Sequence, residues 1–254
     1  MRAYLPELLA LPLFPLLYLQ GKHVRRVTPR LPEAGGPASG VAAPPGPSAG
    51  PPLRLLGIGE SPVAGVGVAS HEQAITAQLA AALAQQSQSP VSWQAIGLNG
   101  ADLAQALTML VPQLPAGACG MDIVLIAFGV NDTTAFRSAN RYRAELAQLI
   151  GAVQERLAPA HIILSGVPPM HAFPALPQPL RFVLGSKAKV LDRVSEELAG
   201  SFANVHYVAM QLDASEPGLM AADGYHPSAK GARSWAGHLA EAMRLSFVQP
   251  VPKI

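Results

Sequence analysis

The stretch MDIVLIAFGVND, residues 121–132, decides the fold. Apart from Asp122, Met121 to Phe128 is continuously apolar and rich in Ile and Val. A run this short and this apolar suits a strand buried on both faces, and strands of that kind belong to parallel sheets covered by helices on either side. Gly129, Asn131 and Asp132 follow at once, and these are turn residues.

Working outward in both directions, apolar runs alternate with helical patterns. Leu53–Ile58, Val91–Ile96, His161–Val167 and Val205–Met210 read as further strands. Glu72–Gln85, Ala101–Leu110, Ser138–Leu157, Leu180–Leu198 and Ala229–Leu245 read as helices, the last opened by Pro227. Alternation of this kind builds a doubly wound α/β sheet. In such sheets the ligand crevice lies beyond the carboxyl ends of the strands, where the strand order reverses. The loops at those ends are Gly59-Glu60-Ser61, Gly97-Leu98-Asn99-Gly100, Gly129-Val130-Asn131-Asp132 and Asp223-Gly224-Tyr225-His226.

Each loop holds a residue type that acyl transfer needs. Ser61 offers a hydroxyl, a weak nucleophile until a base takes its proton and donors meet the oxyanion formed on attack. His226 is the candidate base, since a histidine both accepts and returns a proton near neutral pH. Asp223, three residues earlier across Gly224, can reach the imidazole Nδ1–H and fix its tautomer. Asn131 supplies a side-chain amide and Gly100 a backbone N–H for the oxyanion, with Gly97 the fallback and the Ser61 N–H a further donor. Each has a structural alternative: Ser61 as a turn residue, Asp223 as the cap of the last helix, Asn131 as a turn residue. Their joint position on successive strand-end loops is what favours chemistry. Among the other histidines, His71, His161, His206 and His238 lie in or beside expected elements, and His171 lies in a loop.

The four blocks Gly57-Ile-Gly-Glu-Ser61, Gly97-Leu-Asn-Gly-Ala-Asp102, Gly129-Val-Asn-Asp132 and Asp223-Gly-Tyr-His-Pro227 resemble those of the SGNH hydrolase superfamily, also called GDSL-like lipases/acylhydrolases. The resemblance spans Leu53 to about Leu245. It implies a three-layer α/β/α sandwich on a five-stranded parallel, flavodoxin-like sheet. It also implies ester hydrolysis without cofactor or metal, with Ser61, Asp223 and His226 catalytic and Gly100 and Asn131 forming the oxyanion hole. One departure stands beside the nucleophile: Glu60 occupies the place of the family's usual Asp. The surroundings of Ser61 do not form the G-x-S-x-G elbow of α/β-hydrolases.

The first 52 residues differ from the rest. They hold 11 of the chain's 25 prolines and carry five Lys/Arg against two Glu, whereas residues 53–254 carry 13 basic and 14 acidic residues. The hydrolase portion therefore has no basic field for nucleic acid. Tyr4–Leu19 is apolar apart from Glu7, and Lys22, His23, Arg25, Arg26 and Arg30 follow. As a helix it spans about 24 Å, short of a hydrocarbon core of roughly 30 Å, and Pro6, Pro12 and Pro15 interrupt it. Interfacial or membrane-anchoring behaviour through residues 4–30 is one reading, with the domain on the cytoplasmic side of a bacterial membrane. An arm packed on the domain and a secretory signal are the others. Residues 31–52, rich in Pro, Gly and Ala, read as a linker, 53–247 as the hydrolase domain and 248–254 as a tail. Cys119 is the sole cysteine, so no intrachain disulfide forms.

The expected substrate is a small or lipidic acyl ester, and the Pro-rich loop Pro168–Leu184 either walls an acyl pocket or packs on the sheet edge. Two rivals remain. One is a catalytically inactive SGNH-like binding module. The other is a nucleotide-binding Rossmann-like domain using Gly57, Gly59, Gly65 and Gly67, whose spacing is not G-x-G-x-x-G.

Overall fold

The computed structural model describes residues 5–48, 50–115, 120–211 and 216–248; Cys119 and the tail beyond residue 248 lie outside them. The elements follow as α1 (Leu5–Val27), β1 (Ser39–Ala42), β2 (Leu53–Gly59), α2 (Ile75–Ser87), β3 (Val91–Gly97), α3 (Leu103–Gln105), β4 (Ile123–Ala127), α4 (Val130–Thr134), α5 (Ala139–Leu157), β5 (His161–Ser165), α6 (Leu180–Ala199), β6 (Val205–Val208) and α7 (Ala229–Val248).

The strands lie in the order β1-β3-β2-β4-β5-β6. All pairings from β2 to β6 are parallel. The five parallel strands therefore have the flavodoxin-like order, and the chain reverses direction across the sheet between β2 and β4. β4 is buried at all five positions, as its unbroken apolar run requires. One face is covered by α2 and α7 through Ile75, Leu79, Leu83, Trp235 and Leu239. The other is covered by α5 and α6 through Leu146, Ile150, Val153, Val183 and Leu191. α5 begins where a cap is available: Ser138 accepts a hydrogen bond from the Arg141 N–H.

The sheet has six strands, not five, because β1 adds antiparallel to the outer edge of β3. The linker expected over 31–52 is thus tied to the domain. Ser-Gly-Val-Ala between prolines carries almost no strand signal, and what holds it is geometry: Gly40 lies flat on the Trp93 ring, where a Cβ would come within 2.9 Å of Cζ2. β1 covers an edge that would otherwise expose unpaired backbone groups. Ala34 N–H to Ala64 O and Asn99 N–H to Glu33 Oε1 add further ties.

α1 runs unbroken through Pro12 and Pro15, contrary to the expected interruption. Both prolines are exposed, and each takes one i→i−4 hydrogen bond out of the helix. The helix packs against α6. Leu17 is buried, Gln20 donates to Gln178 O at 2.6 Å and accepts from the Leu180 N–H at 3.1 Å, and Glu7 pairs with Lys187. Lys187 has no exposed side-chain surface, and among the described residues its ion-pair partner is Glu7. No helix among the described residues is long and apolar enough to cross a membrane.

The Glu7–Lys187 pair makes a testable demand. Glu7→Ala leaves a buried ammonium without a partner and should lower stability by about 2 kcal/mol. Glu7→Leu combined with Lys187→Met should restore most of that loss in urea denaturation. An equal loss in both variants would show that charge pairing does not govern how α1 docks.

Candidate active site

β2 ends at Gly59, and the chain turns sharply through Glu60 and Ser61, with the N–H groups of Val63 and Ala64 both donating to Glu60 O. The turn is tight because glycines make room for it. A Cβ on Gly97 would overlap the Val63–Ala64 backbone, and one on Gly59 would come within 2.7 Å of Ala127 O. Gly97 is therefore committed to packing under the Ser61 turn. Gly65 and Gly67 are likewise packed, against Ala34 and Pro227, and do not form a phosphate cradle.

Asp223 organises the opposite loop. Its Oδ1 accepts the N–H groups of Tyr225 at 2.9 Å and His226 at 3.0 Å, and its Oδ2 lies 2.5 Å from His226 Nδ1. Gly224 adopts φ +61 in this turn, which brings the acid and the ring together across three residues. The far ring nitrogen, Nε2, lies 3.1 Å from Ser61 Oγ. Burial pushes the Asp223 carboxyl up, but the hydrogen bonds from the His226 ring and from the two backbone N–H groups outweigh it and hold the carboxyl below its usual range. Helix capping, the structural alternative for Asp223, falls to Ser228, whose Oγ accepts the Gly231 N–H at 3.1 Å. Phe173 stacks edge-on against Tyr225 at 5.2 Å and braces the loop.

Gly100 has φ +81, and nothing stands within 4 Å of where a Cβ would be. Among the described residues, neither the Gly100 N–H nor the Ser61 N–H has a hydrogen-bond partner. Asn131 stands at the head of α4, with both amide hydrogens engaged, by Glu60 Oε2 and by Ala101 O. Glu60 itself is 3% exposed and accepts the N–H groups of Val130 at 3.0 Å and Asn131 at 3.1 Å. Its longer arm thus ties the end of β2 to the end of β4.

A family model described as "GDSL-like Lipase/Acylhydrolase family" matches residues 58–233. The chain belongs to the GDSL-like lipase/acylhydrolase family. It is accordingly a hydrolase of ester bonds. It is 28% identical over 233 residues, 84% of this chain and 71% of the other, to the GDSL-like esterase Rv1075c of Mycobacterium tuberculosis. Among solved structures it resembles the psychrotrophic esterase EstA of a Pseudoalteromonas species, with a TM-score of 0.57, 20% identity, and 77% and 99% of the two chains covered. It also resembles a carbohydrate esterase family 2 enzyme of Corynascus thermopiles, with a TM-score of 0.59, 17% identity, and 82% and 69% covered. At these identities the structural likeness speaks for the fold.

Within this GDSL-like fold, one residue that sequence reading missed joins two blocks. Arg137 pairs with Asp102 and, at 3.4 Å, with Asp132, while Asp132 Oδ2 accepts the Leu103 N–H at 3.2 Å. Arg137 had no signal of its own, lying outside every motif. The remaining histidines stand apart from the site: His161 and His206 face each other at 3.0 Å on β5 and β6, and His171 packs against Gly185. Among the described residues, no group of three His, Cys, Asp or Glu could hold a metal. The expected Pro168–Leu184 loop ends at Pro179, just before α6 begins, and both the loop and the start of α6 border the site. Pro168 and Phe173 line a cavity of about 40 Å³ beside Ser61 and His226, and Leu176, Leu180 and Leu184 line a groove of about 950 Å³ that reaches Asn131 and His226.

Glu60 gives a pH-dependent prediction. Burial raises its pKa from 4.5 to about 8, against the pull of the Val130 and Asn131 N–H groups and with a push from nearby Asp132. Between those values the folded state holds a proton that the unfolded chain has released. Stability therefore falls as pH rises through the window, by up to about 1.4 kcal/mol per pH unit. Relative to Glu60→Gln, which does not titrate, the wild type should lose stability from about pH 5 to about pH 8 in urea denaturation. Parallel curves would show that the carboxyl does not carry the linkage.

Proposed function

We propose that this hydrolase cleaves carboxylic (acyl) esters through a covalent acyl-enzyme on Ser61. The observation that carries the reading is the unbroken line from Asp223 Oδ2 through His226 to Ser61 Oγ, with spacings of 2.5 and 3.1 Å. The relative in M. tuberculosis is named an esterase, which agrees with it.

Ser61 Oγ attacks the ester carbonyl carbon as its proton passes to His226 Nε2. Asp223 stabilises the imidazolium through Nδ1–H and keeps the ring in the tautomer that leaves Nε2 free to accept. The tetrahedral oxyanion is met by the unpartnered N–H groups of Ser61 and Gly100. Asn131 adds a third donor by exchanging its bond to Ala101 O for one to the oxyanion, while Glu60 keeps the amide in place. Collapse breaks the C–O bond to the alcohol, which leaves with the proton from Nε2. Water then attacks the acyl-Ser61 carbonyl, giving its proton to Nε2, and the acid departs as Ser61 recovers its hydrogen.

Steady-state kinetics on a simple acetyl ester test this. Ser61→Ala should abolish turnover, and Asn131→Ala should lower kcat by about 10²–10³ with the fold intact. Full activity of Ser61→Ala would overturn the nucleophile, and an unchanged kcat for Asn131→Ala would reduce that residue to a brace.

A further inference from the structure

The groove of about 950 Å³ that opens at Asn131 and His226 is not enclosed by the α/β domain alone. One wall of it is α1. Leu11, Phe14, Tyr18, Gly21 and Arg25 line it at helical spacing, so a single face of the helix looks into the groove. Leu11, Phe14 and Tyr18 are 78%, 63% and 56% exposed, a row of large apolar side chains that the described residues leave largely uncovered. Opposite them stand Leu176, Leu180 and Leu184, also apolar.

The groove has a direction. Glu7 pairs with Lys187 well inside α6, and Gln20 bonds to Gln178 and Leu180 at its start, so α1 runs antiparallel to α6. The loop before α6 reaches the catalytic turn, where the Ala175 N–H donates to Gly224 O. The C-terminal end of α1 therefore lies beside the catalytic groups and its N-terminal end lies far from them. That near end is cationic. Arg25 and Arg30 both line the groove, and Arg25 acts electrostatically on Tyr225, the neighbour of His226. Neither makes a hydrogen bond or ion pair among the described residues. The acids in the lining, Glu7 and Asp223, are already matched to Lys187 and His226. Two guanidinium groups without an ion-pair partner among the described residues thus line the groove at this end, and from Leu11 to Tyr18 the apolar track extends about 10 Å along the helix.

We infer that α1 is the specificity wall of the active site, and that the preferred substrate is an ester with one long apolar chain and an anionic group a few atoms from the ester bond. This rests on Ser61 being the nucleophile. The chain lies along Leu11, Phe14 and Tyr18, and the anion meets Arg25 and Arg30. The cavity of about 40 Å³ beside Ser61 is far smaller than the α1 groove of about 950 Å³, which offers a long chain the roomier path. Gly21 lines the groove between the apolar and cationic stretches with nothing within 4 Å of a Cβ, so a side chain can leave the helix there and enter the groove.

The test uses the full chain and four monomeric substrates below their micelle concentrations: acetyl and decanoyl esters of para-nitrophenol, and the same esters of its ring-sulfonated analogue. Wild-type kcat/KM should favour decanoyl over acetyl, and sulfonated over neutral, each by about tenfold or more. Gly21→Trp should collapse the chain-length ratio, and Arg25→Gln with Arg30→Gln should collapse the charge ratio. Ser61-dependent hydrolysis of the acetyl ester with neither preference, or ratios untouched by these variants, overturns the inference and leaves the esterase reading standing. A decanoyl preference that emerges only when anionic vesicles are added also overturns it, since α1 would then serve a lipid surface and not a bound molecule. No Ser61-dependent hydrolysis of any of the four esters overturns both readings.

Discussion

Two adjacent backbone N–H groups, those of Val130 and Asn131, end on one buried carboxyl, Glu60, and the site depends on that junction. β2 and β4 are neighbours in the sheet, and the crevice opens where they part. Ser61 follows the first strand and Asn131 the second, so their relative position is set by whatever ties the two turns together. Glu60 does this from the residue before Ser61, and it also holds the Asn131 amide. Arg137 repeats the device one layer out, where Asp102 and Asp132 bring the third strand-end loop into register. Glu60, where the resemblance leads one to expect Asp, thus spans from the end of β2 to the end of β4. It also keeps a carboxyl out of water at a pKa of about 8.

Much of this was legible before any coordinates. The unbroken apolar strands predicted a parallel sheet, and the Asp223–His226 spacing predicted a turn that joins the two side chains. Both readings rest on local physics: burial on two faces, and an Asx-type turn across glycine. What stayed hidden depended on distant partners. Ser39–Ala42 has no strand pattern and pairs only because β3 offers an open edge and Gly40 fits the Trp93 ring. The three prolines in the first apolar run argued for a broken segment, yet α1 continues through Pro12 and Pro15 because tertiary packing on α6 outweighs the lost bonds. Glu7 was the visible clue to that packing, a lone acid in an apolar run, but its partner Lys187 lies 180 residues away. The sequence favours Gly100 with Gly97 as the fallback, and the Val63–Ala64 backbone pressed against Gly97, which no local pattern reveals, adds a packing role for the latter.

The N-terminal helix changes how the molecule is best understood. It was set apart by composition, with a different charge balance and an excess of proline. In the fold one edge of it packs on the domain through Leu17 and Lys187, and another lines the groove that reaches Asn131 and His226. A helix held this way places Arg25 and Arg30 along that groove.

The central claim is that Ser61 is a nucleophile made reactive by His226. Its most direct measurement is covalent labelling with a fluorophosphonate, followed by intact mass and peptide mapping. The account predicts one adduct per chain, located on Ser61, formed rapidly in the wild type and much more slowly in His226→Ala. An adduct at another residue, or labelling of Ser61 at the same rate without His226, would contradict it.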